Sequence, residues 1–190
     1  MKIEKAVQED IKEILSILDE AKGSDLSEEE RKKQGFVQGK INEDLLLKFI
    51  KGLGVYIAKS FGEIAGVVLV SKGGVIKNGP AGELYKSVVD IFPRVNKEQI
   101  FLYGPAAIKR SYRGRGILTL LLTHICLTLE NDFVLGAAFV EKNNEKSLQI
   151  HRHYPMNESG SFIFDEKVYQ IFTFNPSEVI SFYNTKNNRE

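Results

Sequence analysis

The chain has 190 residues, and its 26 Lys and Arg nearly balance its 25 Asp and Glu to give a net charge of +1. This balance argues against general binding to nucleic acid or to a membrane surface, which relies on a basic excess. A single cysteine, Cys126, excludes an internal disulfide and a cysteine-based metal cluster. The first residues lack the apolar segment of a signal peptide, and no apolar run is long enough to cross a bilayer, so we expect a cytoplasmic protein.

The first part of the chain is predicted to form two main helices and a β-hairpin. Hydrophobic spacing and turn residues indicate strand Lys2–Val7, helix Glu9–Ala21, helix Glu43–Lys51, strand Val55–Ser60 and strand Ile64–Ser71. Asn42 directly precedes the second helix and is its predicted N-cap. Between the two helices, Ser27 and Glu30 fit a capping box, which predicts a short exposed helix there.

The second part alternates strands and helices after an insert at residues 77–99. The predicted elements are helix Ala81–Phe92 within the insert, strand Ile100–Ile108, helix Ile117–Leu129, strand Phe133–Val140, helix Glu145–His153, strand Ser161–Phe164 and strand Val168–Phe174. This order predicts an α/β fold, or α+β sandwich, in which helices flank a mixed central sheet. We expect one domain over residues 1–176 and a polar C-terminal tail over residues 177–190.

A glycine- and arginine-rich turn, Arg113-Gly114-Arg115-Gly116, joins strand Ile100–Ile108 to helix Ile117–Leu129. The first turn of a helix carries N–H groups without intrahelical acceptors, and the helix dipole places partial positive charge there. Glycines allow a close backbone approach to an anion, and the arginines add charge. The turn matches neither a Walker A loop nor G-x-G-x-x-G. The residues themselves therefore predict a cradle for a phosphate or pyrophosphate.

The same turn resembles the acyl-CoA-binding motif of the GNAT superfamily (Gcn5-related N-acetyltransferases), Gln/Arg-x-x-Gly-x-Gly/Ala, with Leu118 at the position where Gly or Ala is usual. The element order is also similar to that fold. The resemblance implies a V-shaped splay between the fourth and fifth strands that holds acetyl-CoA or another short acyl-CoA, with the thioester carbonyl near a main-chain N–H of Ala107 or Ile108. The cofactor-binding residues that it implies are Ala107, Ile108, Arg113, Gly114, Arg115, Gly116, Ile117, Leu118, Asn144 and Ser147.

A second segment, residues 144–154, is partly similar to another GNAT motif, with Asn144 and Ser147 at matching positions. His151 falls where the family often has the tyrosine that protonates the leaving thiolate. Histidine titrates near pH 6.5, so we expect His151 to supply a proton at pH 7. Tyr154, three residues further on, is the alternative acid.

The general base that would take a proton from an amine is less clearly indicated. Glu141, at the end of a predicted strand, is one candidate. Tyr103 acting through a water molecule is another, and an ordered water chain is a third possibility. Cys126 lies within an apolar helix pattern, so we interpret it as a buried structural thiol.

The resemblance implies an acyl-CoA-dependent N-acyltransferase, in which a small-molecule or peptide amine attacks the thioester directly in a ternary complex. A second hypothesis is a non-catalytic CoA-binding or sensory module on the same fold. Nucleic-acid binding through Arg113 and Arg115 is a third hypothesis, which the near-neutral charge disfavours. The strand Val168–Phe174 could also serve as the interface of a homodimer.

Overall fold

The computed structural model describes residues 1–22, 27, 30, 36, 37, 39 and 41–187. The strands are β1 (Lys2–Lys5), β2 (Gly54–Ser60), β3 (Glu63–Lys72), β4 (Ile100–Ile108), β5 (Leu135–Glu141), β6 (Asn157–Phe164) and β7 (Lys167–Phe174). The α-helices of the described residues are α1 (Ile11–Glu20), α2 (Glu43–Lys51), α3 (Gly79–Ile91), α4 (Ile117–Leu129), α5 (Glu145–Arg152) and α6 (Pro176–Asn187).

The strands form one mixed sheet in the order β1-β2-β3-β4-β5-β7-β6. Antiparallel pairs join β1 to β2, β2 to β3, β5 to β7 and β6 to β7, whereas β4 and β5 are parallel. This arrangement confirms the predicted α/β class with a mixed central sheet. A splay between β4 and β5 requires their pairing to be short, and the register joins only Ile100–Leu102 to Leu135–Ala137.

Side-chain caps fix several helix starts where the sequence predicted them. The Leu45 amide donates to Asn42 Oδ1 at 2.9 Å, which confirms Asn42 as the N-cap of α2. The capping-box bonds are also present: the Ser27 amide donates to Glu30 Oε2 at 2.9 Å, and the Glu30 amide donates to Ser27 Oγ at 3.3 Å. Most of the short helix predicted around that box lies outside the described residues.

Residue contacts divide the chain into two compact units, so the single domain predicted for residues 1–176 stays a prediction. The first unit comprises Met1–Ser71 and Tyr103–Ile125. In this unit α1 packs against α2, and α2 packs against β2. The amphipathic spacing of α1 buries Ile14 and Leu18. β2 and β3 are buried along most of their length, which explains their near-continuous apolar sequences.

The second unit comprises Lys72–Leu102 and Cys126–Glu190. Helix α3, which lies in the predicted insert, packs against β5 and β6. Its Leu84 and Val88 are buried, and they belong to the hydrophobic core of this unit. The insert is therefore a structural layer of the second unit, because α3 covers apolar residues of those strands.

Residues 177–187, which the sequence analysis assigned to a polar C-terminal tail, form most of α6. The domain boundary at residue 176 stays a prediction. Asn175 caps this helix: its Oδ1 accepts from the Ser177 amide at 2.9 Å. Val179 and Ile180 are buried. The segment is mostly polar, so its sequence did not indicate a helix. Val179 and Ile180 pack this helix onto the core of the second unit.

Candidate functional site

The turn Arg113–Gly116, which is the predicted anion cradle, lies in the first unit between β4 and α4. Gly114 and Gly116 have φ values of +76° and +72°, in the left-handed region that favours glycine. A Cβ at either position would meet no atom within 4 Å, so the backbone conformation, and not lack of space, calls for glycine. The first hydrogen bond of helical type runs from the Leu120 amide to the Gly116 carbonyl oxygen and is 3.1 Å long. The N–H groups before Leu120 therefore have no acceptor within the helix, which is the arrangement that binds anions at helix N-termini.

Arg113 folds back onto the end of β4. Its Nε donates to the Ile108 carbonyl oxygen at 3.2 Å, which fixes the direction of the guanidinium. Burial, and to a lesser degree the neighbouring charge of Arg110, lowers the pKa of Arg113, but an arginine remains a cation at neutral pH. The guanidinium of Arg115 lies 5.2 Å from the ring centroid of Tyr112, a cation–π contact. The turn thus carries two cations, one on each side of Gly114.

Lys109 tethers the start of the cradle to β3 and α1. Its amide donates to the Ala65 carbonyl at 3.0 Å. Its Nζ lies 3.5 Å from Glu63 Oε2 and 3.8 Å from Glu13 Oε1. Glu13 Oε1 also accepts from the Ile64 amide at 3.0 Å. Backbone and side chain together therefore hold the segment that leads from β4 into the cradle.

Gly66 in β3 allows the end of β4 and the start of α4 to pack closely. A Cβ at Gly66 would overlap Cδ1 of Ile108 and would lie 3.1 Å from Cγ2 of Ile117. Ile117 is buried, and so is Ala107. The sequence analysis did not single out Gly66, although a glycine inside a strand pattern often marks a close approach of another segment.

Gly104 and Pro105 interrupt β4 soon after its pairing with β5 ends at Leu102. Gly104 has a φ of +110°, which departs from regular strand geometry. Pro105 has no N–H and cannot donate to a strand ladder. This Gly-Pro pair gives a local reason for the short register, and the sequence could have indicated it.

Two predicted cofactor residues of the second unit, Asn144 and Ser147, form the cap of α5. Asn144 is buried, and its Oδ1 accepts from the Ser147 amide at 3.3 Å. The predicted Asn144 cap is therefore confirmed. The contact of either residue with a cofactor stays a prediction.

His151 is held in one tautomer. Its Nδ1 lies 2.8 Å from the Ser147 carbonyl oxygen, which can only accept, so Nδ1 carries the proton and Nε2 is the acceptor. The imidazole also lies against the Phe172 ring, with centroids 5.0 Å apart, and Tyr154 is the next aromatic ring at 6.5 Å. Burial lowers the pKa of His151, and this effect is larger than that of the hydrogen bond to Ser147, which raises the pKa. This direction is contrary to the expectation of an imidazolium at pH 7.

Glu141 is a buried carboxylate at the end of β5. It pairs directly across the sheet with Tyr169 of β7. Lys167 Nζ lies 3.5 Å from its Oε2. Burial raises the pKa of Tyr169, and the charges of Glu141 and Asp165 add to that shift. The surroundings of this carboxylate are therefore apolar and aromatic, with one lysine beside it.

Cys126 is fully buried in α4, as predicted. Burial, with a contribution from Glu130, raises the pKa of its thiol to about 12. The protonated thiol is a poor nucleophile at neutral pH, which argues against a covalent acyl-cysteine. Among the described residues, no group of three His, Cys, Asp or Glu side chains is placed to bind a metal. Across the same residues, every helix is too short or too polar to cross a membrane.

The predicted site residues therefore fall into two groups. Residues Ala107, Ile108 and 113–118 lie together in the first unit, around the end of β4 and the start of α4. Glu141, Asn144, Ser147, His151 and Tyr154 lie in the second unit, at the end of β5 and along α5.

Comparison with known proteins finds similarity in structure only. No family model matches the chain, and no curated protein matches it in sequence. A GNAT-family acetyltransferase from Streptococcus agalactiae superposes with a TM-score of 0.67 at 17% identity, over 92% of this chain and 94% of that chain.

Two further solved structures have the same architecture. The ribosomal-protein-alanine N-acetyltransferase of Brucella melitensis gives a TM-score of 0.63 at 13% identity, over 92% of this chain and 99% of that chain. The protein yncA of Salmonella typhimurium, solved with its cofactor acetyl-CoA, gives 0.62 at 11% identity, over 93% and 94%. The chain therefore has the fold of the GNAT acetyltransferases.

Proposed function

We propose that this protein is an acyl-CoA-dependent N-acyltransferase that transfers an acetyl or other short acyl group to an amine. The observation that carries the proposal is the turn Arg113–Gly116, which directly precedes the first turn of α4. It contains two arginines and two glycines whose backbones are in the left-handed region. A pyrophosphate suits this arrangement, because it takes several main-chain N–H donors and benefits from nearby positive charge.

The residues that would hold the cofactor are those of the first-unit group. The amides at the start of α4 would bind the pyrophosphate, and Arg113 would add charge from a direction fixed by its bond to Ile108. When bound, acyl-CoA supplies an activated thioester. A main-chain N–H of Ala107 or Ile108 would stabilise the negative charge that develops on the thioester oxygen.

Proton transfer is assigned to the second-unit group. We propose that neutral His151 accepts a proton at Nε2, because Nδ1 donates to the Ser147 carbonyl and burial favours the uncharged ring. Glu141 is the second candidate base, and Tyr154 remains the candidate acid for the leaving thiolate.

A non-catalytic CoA-binding module is the second candidate function. The lowered pKa of His151 favours it, because a neutral imidazole is a poor donor to a departing thiolate. This candidate shares the cradle and the cofactor and differs only in turnover.

Release of free thiol from acetyl-CoA in the presence of a panel of primary amines tests the proposal. Thiol release that depends on an amine is the expected result. CoA binding without thiol release for any amine would support the binding module and would contradict the transferase.

A further inference from the structure

Strand β6 lies at one end of the sheet and has a neighbouring strand, β7, on one side only. The strand Val168–Phe174, which the sequence suggested as a dimer interface, belongs to β7 and has a strand on each side. On the outer side of β6, the N–H and C=O groups of alternate residues point away from β7 and have no strand partner in the described chain. Such an edge can pair with a further strand unless charged residues, proline or a covering segment prevent it.

The central part of β6 carries no charge or proline that would prevent such pairing. Residues 159–164 are uncharged and include no proline. Glu158 precedes this segment, and its charge is compensated because Arg152 Nε donates to Glu158 Oε1 at 2.7 Å. A β-bulge between Glu158 and Gly160 is confined to the start of the strand, and the pairing with β7 is regular from Gly160 to Phe164. The edge of β6 is therefore open to an uncharged strand.

Two isoleucines expose apolar surface beside this edge, one on each face of the sheet. Ile163 of β6 is 71% exposed and points to the face opposite its buried neighbour Phe162. Ile91, the last residue of α3, is 42% exposed on the face that α3 covers. A Cβ at Gly160 would lie 3.5 Å from Ile91 Cδ1, which places this side chain next to β6. A second sheet that continued this one would cover both isoleucines.

We propose that β6 pairs antiparallel with β6 of a second copy of this chain, so that two copies join edge to edge across a two-fold axis. A second copy is the partner that fits, because the uncharged segment 159–164 then meets the same uncharged segment and no like charges are brought together. The claim concerns assembly through the second unit and does not rest on the proposed acyl transfer.

The backbone of β6 determines where the two-fold axis passes. An axis perpendicular to the sheet keeps each side chain on its own face, so it must pass beside a residue and not between two residues. Gly160, in the bulge, has a φ of +128°, and the turn after Phe164 begins with Asp165 at +48°, so neither end continues as a regular strand. An axis at Ser161 avoids the bulge and pairs more of the strand than an axis at Phe162 does. Ser161 then stands opposite Ser161 of the second copy.

Sedimentation velocity of the full chain over a range of concentrations tests the surface. The unsubstituted protein should form a species of two chains and none larger, because a two-fold contact uses each β6 edge once. Ile163→Lys should raise the dissociation constant at least tenfold, since an ammonium on an edge strand opposes pairing. Val75→Lys is the matched control: it places the same charge at a residue that is 64% exposed and outside β6, and it should leave the dimer unchanged.

Crosslinking tests the position of the axis, because Cys126 is buried and an introduced surface thiol is the accessible one. A short bismaleimide should join two copies of Ser161→Cys, and it should not join copies of Ser177→Cys, whose exposed side chain lies on α6. Adding Ile163→Lys to Ser161→Cys should suppress the crosslink, and circular dichroism checks that each variant is folded. The mass of one chain at every soluble concentration, an unchanged dimer in Ile163→Lys, or a dimer that Ser161→Cys cannot crosslink would overturn the proposal whether or not the protein binds CoA.

Discussion

The Nε of Arg113 donates to the carbonyl oxygen of Ile108 at 3.2 Å, so the last residue of β4 fixes the direction of a cradle arginine. The bond couples the strand to the turn that follows it. Because this bond already restricts the Arg113 side chain, the proposed contact with an anion would cost less side-chain freedom when the ligand binds.

Replacement of Arg113 by glutamate should weaken CoA binding at least tenfold, about 1.4 kcal/mol or more, because a carboxylate would face the pyrophosphate. Arg94→Glu is the matched control: it makes the same change of net charge at an exposed residue of the second unit and should leave affinity nearly unchanged. Titration of each variant with CoA measures the effect. Equal losses for both variants would indicate a general charge effect and would remove Arg113 from the site.

Gly66→Ala should lower stability by about 1–3 kcal/mol, because the added methyl group overlaps Cδ1 of Ile108. Ile108→Val removes that Cδ1 atom. The double variant Gly66→Ala/Ile108→Val should therefore recover part of the loss seen for Gly66→Ala alone, as measured by urea unfolding. If the two losses simply add, the contact between these positions does not explain the glycine.

The lowered pKa of His151 predicts a pH dependence of folding. The unfolded chain binds a proton near pH 6.5, whereas the folded chain binds it only at lower pH. The unfolded state therefore holds more protons between these two pKa values. As a result, the contribution of His151 to stability is complete above about pH 6.5 and falls as the pH decreases through that range.

Urea unfolding at about pH 5 and about pH 7.5 checks this prediction by comparing the protein with His151→Phe. The variant should lose less stability on acidification than the unsubstituted protein does. Comparing the pH-induced changes of the two proteins cancels the contributions of other groups. A larger loss in the variant would mean that the folded state holds His151 as a cation.

The sequence predicted the ends of helices and strands well where a single capping or turn residue determines them. Asn42 and Asn144 as caps, and the bounds Ile100–Ile108 and Ile117–Leu129, all agree with the structure. The helix after Asn175 was missed because its polar residues outweigh two buried apolar ones, although an Asn-Pro pair is a helix-start signal.

The features that the sequence could not indicate depend on tertiary neighbours. The protonation state of His151 follows from its burial and from the carbonyl of Ser147. The aromatic surroundings of Glu141 follow from strand register, which places Tyr169 opposite it. A glycine within a strand marks Gly66 as a place of close approach, but its two isoleucine neighbours lie more than 40 residues away in the chain and could not be identified from the sequence. None of these relationships is expressed in spacing along the sequence.

We propose that the turn Arg113–Gly116 binds the pyrophosphate of CoA, and the contribution of this part of the ligand to affinity can be measured. Calorimetric titrations of the protein with CoA and with pantetheine, which has the same thiol arm but lacks the pyrophosphate and the adenosine 3′-phosphate attached to it, measure what this anionic half of CoA adds to binding. The account predicts that CoA binds at least tenfold more tightly than pantetheine, about 1.4 kcal/mol or more. Equal affinity for the two ligands, or no binding of CoA, would contradict it.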